Sequence, residues 1–133
     1  MPHVSKRKLD KEALKQLDSA LTWMFSGLRG KEVGLILRTL MTPTEKVMFG
    51  KRLGILYLLK EDKSEAVIAE ALKTTQPTVS RIKLQNTLLP PKESAFIFRK
   101  LSRWKDFSTF KSAMQDLALF VLKTLSRGMA GRI

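Results

Sequence analysis

The chain has 133 residues, no cysteine and a formal net charge of +13, from 25 basic and 12 acidic side chains. A chain of this length can bury roughly two-thirds of its unfolded surface, so we expect it to fold without disulfides or a structural metal. It contains no run of about 18 apolar residues, and we therefore expect no membrane span and no membrane partner.

The charge is unevenly distributed. Residues 44–72 carry five basic and five acidic side chains, whereas residues 73–91 carry three basic and no acidic ones. Residues 1–43 carry eight basic and four acidic side chains, and residues 92–133 carry nine and three. Basic segments of this kind are typical of proteins that bind nucleic-acid phosphates, although a generally basic protein is the alternative.

Apolar residues recur at helical spacing and nowhere alternate over a long window, which predicts an all-α fold. The first helix is predicted from about Leu9 to Phe25, and the second from about Lys31 to Leu40. One face of the first helix forms an apolar stripe of Leu14, Leu17, Leu21 and Met24.

The third helix is predicted to run to about Lys60, and it has the clearest start. In the sequence Thr42–Glu45, the threonine can cap the helix while the glutamate reaches back to the cap N–H. Residues 47–59 are apolar on most faces, which predicts a buried helix. Gly50 and Gly54 are four apart and predict a close helix crossing, within one subunit or between two.

Residues 64–83 carry the most informative pattern, two short helices joined by a tight turn. With Glu65 as the first position, the fifth position is small and four others are apolar, as a helix-turn-helix requires. These positions hold Ala69, Ile68, Leu72, Val79 and Ile82. Thr75 is placed to cap the second helix, and Pro77 falls in its first turn. One position departs from the motif: the ninth, which usually holds glycine, is Lys73. This weakens the match slightly, because a non-glycine residue can adopt the positive φ of the turn only at a cost of roughly 1 kcal/mol or more.

The outward face of the second helix is predicted to read DNA. The base-reading candidates are Gln76, Pro77, Ser80 and Arg81. Glutamine can pair with adenine and arginine with guanine. The candidates for phosphate contact, which fix register only, are Lys73, Thr75, Thr78 and Lys83. The alternative is an ordinary helical hairpin with a polar outer face.

Beyond Pro90 and Pro91, which block helix continuation, two further helices are predicted. One spans about Lys92 to Trp104, and the other spans about Phe107 to Arg127 and ends at Gly128.

Three segments together resemble the tryptophan repressor superfamily, and the resemblance covers about residues 9–88. The segments are Leu40–Glu45, Gly50–Arg52 and Thr78–Arg81. The resemblance implies an intertwined homodimer with interlocking N-terminal helices, and reading helices that face successive major grooves about 34–36 Å apart. We therefore divide the chain into a Trp repressor-like dimerisation and DNA-binding domain, residues 1–89, and a basic C-terminal helical extension, residues 90–133.

The same resemblance raises the question of a co-repressor. In tryptophan-responsive members, a threonine and two arginines surround the bound amino acid, and Thr42, Arg52 and Arg81 match them. Those members place a glycine after the second arginine, next to the ligand, whereas this chain has Ile82. Its branched side chain would obstruct the pocket, so we expect no tryptophan binding; another small effector stays open.

Residues that often carry chemistry are scarce. The single histidine, His3, is expected to be solvated, and no carboxylate cluster, phosphate loop or nucleophile arrangement occurs. We therefore predict no enzymatic activity, no cofactor and no metal site. Trp23 and Trp104 lie at apolar helix positions and are predicted to anchor packing.

The sequence thus predicts a sequence-specific transcriptional regulator, a repressor by preference, that acts as a cytoplasmic, nucleoid-associated homodimer on double-stranded DNA. One alternative is an architectural protein that coats or bridges nucleic acid by charge, and another is an oligomerisation module that binds protein. Trimming residues 92–133 is expected to distinguish the regulator from the architectural protein. A regulator would keep its sequence preference, whereas a coating protein would lose most of its affinity.

Overall fold

The computed structural model describes residues 8–130, with side chains to Arg127. The described residues form helices and no strand, so the all-α prediction is confirmed. The helices are α1 (Lys11–Met24), α2 (Gly30–Leu40), α3 (Pro43–Lys60), α4 (Glu65–Ala71), α5 (Gln76–Thr87), α6 (Pro91–Ser94), α7 (Phe96–Ser102) and α8 (Phe107–Ala130). Within the described range, no helix has the length and apolar character needed to cross a membrane. His3 lies outside the described residues.

The described residues fall into two compact units, divided between Phe49 and Gly50. The division that the sequence predicts between residues 89 and 90 falls inside the second unit. Helix α8, far along the chain, packs against α4 in that unit. The C-terminal segment therefore contributes to the same core as the predicted reading motif.

The helix starts of the first unit follow from local side-chain chemistry. Asp10 caps α1 by accepting the Ala13 N–H at 2.7 Å. At the start of α3, Thr42 Oγ1 accepts the Glu45 N–H at 3.1 Å, and Glu45 Oε1 accepts the Thr42 N–H at 3.0 Å. This reciprocal pair confirms the predicted cap. The Thr42 backbone N–H holds the pKa of Glu45 below its usual value.

The first unit contains no buried residue among residues 8–49. The apolar stripe of α1 is 41–58% exposed along its length, and it consists of Leu14, Leu17, Leu21 and Met24. Trp23 is 73% exposed, so the prediction that it anchors packing is wrong for a single chain. The unit offers no core of its own into which the indole could pack.

The second unit holds a contiguous core. Its buried residues come from α3, α4, α5 and α8, and from Leu72, which caps α4. They are Ile55, Leu58, Val67, Ile68, Ala69, Ala71, Leu72, Val79, Ile82, Ala118 and Val121. An aromatic group lies beside this core, because Tyr57 contacts Phe107 and Phe110 at centroid distances of 6.0 and 5.5 Å. Trp104 lies 6.4 Å from Phe110 and stays half-exposed, so its predicted packing role is met only in part.

Helix α3 is buried only over its C-terminal half. Ile55 and Leu58 are buried, whereas Val47 and Phe49 are exposed, which corrects the prediction of burial throughout. A Cβ added at Gly54 would lie 3.1 Å from Leu72 Cδ1, so glycine permits a close crossing there, as predicted. A Cβ at Gly50 would meet nothing within 4 Å, and the prediction fails at that position.

Two further corrections concern the C-terminal segment. The single helix predicted over residues 92–104 is two short helices, because Ala95 both ends α6 and begins α7. Helix α8 continues through Gly128 to Ala130 instead of ending at the glycine. Glycine costs about 1 kcal/mol in a helix interior but does not break the hydrogen-bond ladder as proline does.

Candidate nucleic-acid interface

The candidate interface is built on α4, a helix of seven residues with four of them buried. It begins where Ser64 Oγ accepts the Val67 N–H at 3.2 Å. Val67 and Ile68 fill the core between the neighbouring helices, and Ala69 allows the close approach expected at the fifth position. Helix α4 is thereby fixed as the support on which α5 lies.

The turn after α4 depends on a left-handed residue. Lys73 has a φ of 53°, as its position in the motif predicts. This conformation directs the Thr74 N–H to the Ala69 carbonyl at 2.9 Å and the Lys73 N–H to the Glu70 carbonyl at 3.4 Å. These two bonds form a Schellman motif, which usually employs glycine. Lys51 Nζ also donates to the Lys73 carbonyl at 3.0 Å and holds the turn against α3.

Helix α5 begins as predicted. Thr75 Oγ1 accepts the Thr78 N–H at 3.4 Å and lies 2.9 Å from Thr78 Oγ1. Pro77 occupies the first turn, where its missing N–H has no intrahelical partner to lose. Val79 and Ile82 are buried against α4, so one side of α5 is fixed and the opposite side faces outward.

The four base-reading candidates lie on this outward side and are all exposed: Gln76, Pro77, Ser80 and Arg81. Their spacing places them on one face of a helix. Ser80 differs from the others, because its hydroxyl donates to Glu65 Oε2 of α4. The orientation of its hydroxyl is therefore coupled to the position of that carboxylate.

Glu65 is a residue of the candidate interface that the sequence analysis does not identify. Its Oε1 also lies 3.7 Å from Lys83 Nζ, so one carboxylate of α4 contacts two residues of α5. Ser80 lies 15 positions after Glu65 in the chain and Lys83 lies further still, so no short-range sequence pattern signals these contacts. The hydrophobic crossing of the two helices brings Glu65 close to both residues.

The phosphate-contact candidates are held by weak surface interactions. Lys73 Nζ lies 3.5 Å from Glu70 Oε1, and Lys83 pairs with Glu65; both lysine side chains are more than half exposed. Thr75 is exposed, whereas Thr78 is half-buried and shares its hydroxyl with the cap. Exposed ion pairs contribute about 0–1 kcal/mol, so a phosphate oxygen can compete for either lysine.

The residues suggested for an effector pocket fall in different units. Thr42 lies in the first unit, where its hydroxyl caps α3. Arg52 is half-buried and Arg81 is exposed, and both lie in the second unit. Ile82 is only 9% exposed and packs in the core, as its position in the motif predicts. Its side chain therefore has a structural role independent of any ligand.

No protein-family model, curated protein or solved structure matches the chain. Among the described residues, no group of three or more acidic, histidine or cysteine side chains is arranged to hold a metal ion. The described residues thus form an all-helical structure with a helical pair, α4 and α5, in which α5 itself carries no acidic residue and Glu65 of α4 contacts its outward side.

The strained turn gives a prediction with a matched control. Replacing Lys73 by glycine removes the left-handed penalty, although glycine also loses more chain entropy on folding. We expect Lys73→Gly to be more stable to urea than Lys73→Ala by about 0.5–1 kcal/mol. Both variants remove the ammonium that pairs with Glu70, so the difference between their free energies of unfolding reports the backbone conformation at position 73. Equal unfolding midpoints would contradict the prediction and show that any left-handed strain at position 73 is no larger than the chain entropy that glycine loses on folding.

Proposed function

We propose that α4 and α5 form a helix-turn-helix, and that the protein is a sequence-specific DNA-binding transcriptional regulator that acts as a homodimer. The observation that carries this proposal is the face of α5, which exposes glutamine, proline, serine and arginine while Val79 and Ile82 fix its other side. Residues 73–91 contain no acidic side chain, and the Glu65 carboxylate that contacts α5 is paired with Lys83.

The size and chemistry of α5 suit a major groove. Its 12 residues span about 18 Å, and the groove is about 12 Å wide and admits one helix. Arg81 can donate two hydrogen bonds to the O6 and N7 atoms of a guanine, and Gln76 can pair with an adenine. Lys73 and Thr75, at the start of the helix, are placed for phosphate oxygens on one side of the groove.

A second copy is the proposed partner of the first unit. The α1 stripe exposes four large apolar side chains on a unit that buries nothing of its own among residues 8–49. Extended apolar faces on a folded chain commonly mark association surfaces. Two copies related by a two-fold axis would cover each stripe with the other, and would also present two α5 helices to two half-sites, as the resemblance to tryptophan repressors implies.

The DNA-reading role is tested through Arg81. We expect Arg81→Ala to weaken binding to a duplex selected from random sequence by about 1–3 kcal/mol and to relax preference at one base pair. The control is Arg103→Ala, an exposed arginine at the end of α7, which should weaken selected and random duplexes alike. Fluorescence anisotropy at several salt concentrations gives both affinities. Equal wild-type affinities for selected and random duplex at every salt concentration would exclude a sequence reader.

The architectural alternative has support in the nine basic residues of positions 92–133. Truncating this segment is not a clean test, because α8 contributes Ala118 and Val121 to the core. Charge can be removed instead by replacing four exposed side chains with glutamine: Arg99, Lys100, Arg103 and Lys105. A regulator should keep its preference for selected duplex. The slope of log affinity against log salt concentration should become less negative by about 0.9 for each phosphate contact that the variant loses. A coating protein should lose most of its affinity for every sequence.

The homodimer is tested by placing a charge in the α1 stripe. We expect the wild-type protein to sediment at twice the chain mass of 15.1 kDa, and Leu17→Glu to shift it to a single chain because the carboxylate would be buried without a partner. Ser19→Glu introduces the same charge on the opposite face of α1 and should leave the dimer intact. A monomeric wild-type protein, or two variants that both remain dimeric, would exclude the α1 stripe as the dimer interface.

A further inference from the structure

A cleft of about 590 Å³ opens in the second unit, between the end of α3, the second half of α5 and the α6–α7 segment. This volume lies within the range typical of small-molecule sites. The cleft is distinct from the Thr42, Arg52 and Arg81 set, because none of those residues lines it. Three lysines line it against one carboxylate, that of Asp62.

Contacts on the cleft walls place two of these lysines. Lys60 Nζ lies 4.6 Å from the centroid of the Phe98 ring, so its ammonium is held over an aromatic face. Lys83 reaches the cleft from α5 and is paired with Glu65 at 3.7 Å while its side chain stays 59% exposed. Lys63, in the turn before α4, is the third and is half-buried.

The apolar part of the lining gives the second half of the ligand's chemistry. Leu56, Leu59 and Phe98 provide a hydrophobic surface beside the lysines. We propose that this cleft binds a small organic anion, an anionic oxygen group carried on a flat apolar body. The ammonium groups take the anionic oxygens, and the leucines and the Phe98 ring cover the apolar body. Three lysines against one carboxylate disfavour a cationic ligand, and a neutral apolar molecule would gain no charged contact from them.

The position of the cleft connects the ligand to the candidate interface. An anion that binds Lys83 competes with Glu65 for its ammonium group. Glu65 also accepts a hydrogen bond from the Ser80 hydroxyl on the outward face of α5. Ligand binding and DNA binding would then be linked, each changing the affinity for the other by the same factor. This linkage rests on the proposed function, whereas binding of the anion itself does not.

The test uses the full chain without DNA, so its failure says nothing about DNA binding. Salicylate is titrated into isotope-labelled protein, and its neutral amide, salicylamide, serves as the matched probe. We expect saturable amide shifts confined to residues 56–64, 83–87 and 94–98, and binding at least tenfold weaker for salicylamide. The double variant Lys60→Gln, Lys63→Gln should weaken salicylate at least tenfold, whereas Lys111→Gln, outside the cleft, should change it less than twofold.

A second variant separates shape from charge. Ala95 lines the cleft, and Ala95→Phe would fill it while every lysine is kept. We expect a loss of salicylate binding of at least tenfold, with thermal unfolding midpoints checking that each variant stays folded. Shifts spread over the basic surface, equal binding of salicylate and salicylamide, or unchanged binding by a folded Ala95→Phe protein would each overturn the proposal.

Discussion

The packing of α4 between α5 and α8 is the contact on which the second unit depends. An isolated helix of seven residues is too short to persist in water, so α4 exists because its neighbours bury it. Ile68 is fully buried there, and α8 covers the same helix with Ala118 and Val121. The direction in which α5 faces outward is therefore set partly by α8, which begins at Phe107, although α4 and α5 are themselves neighbours in the chain.

The turn between α4 and α5 connects the two packed helices through a strained residue. Lys73 holds a left-handed conformation that glycine would hold without strain, at a cost of about 1–2 kcal/mol. Glycine there would remove an exposed ammonium at the start of α5. The strain is offset by the two backbone bonds of the Schellman motif and by the Lys51 bond to the Lys73 carbonyl. In the proposed complex, Lys73 would supply a phosphate contact from a fixed backbone position.

Features that depend on a few neighbouring residues could be predicted from the sequence. The Thr42 cap, the positive φ at Lys73 and the Thr75 cap each involve partners within five positions. The contacts of Glu65 and the burial of only half of α3 depend on elements distant in the chain, which no local pattern encodes. The break at Ala95 has no signal in the sequence for a different reason: alanine is a good helix former, so nothing in its own propensity marks the end of α6.

The two units differ in how completely they bury their apolar residues, and this difference bears on the proposed function. The second unit buries a core within one chain, whereas the first exposes the α1 stripe. In the proposed dimer, the second copy would cover that stripe. DNA that binds both helices at once would stabilise the dimer, and a pre-formed dimer would bind DNA more tightly, because both equilibria share one assembled state. DNA affinity at α5 and association at α1 would then be thermodynamically linked, although the two surfaces share no residue.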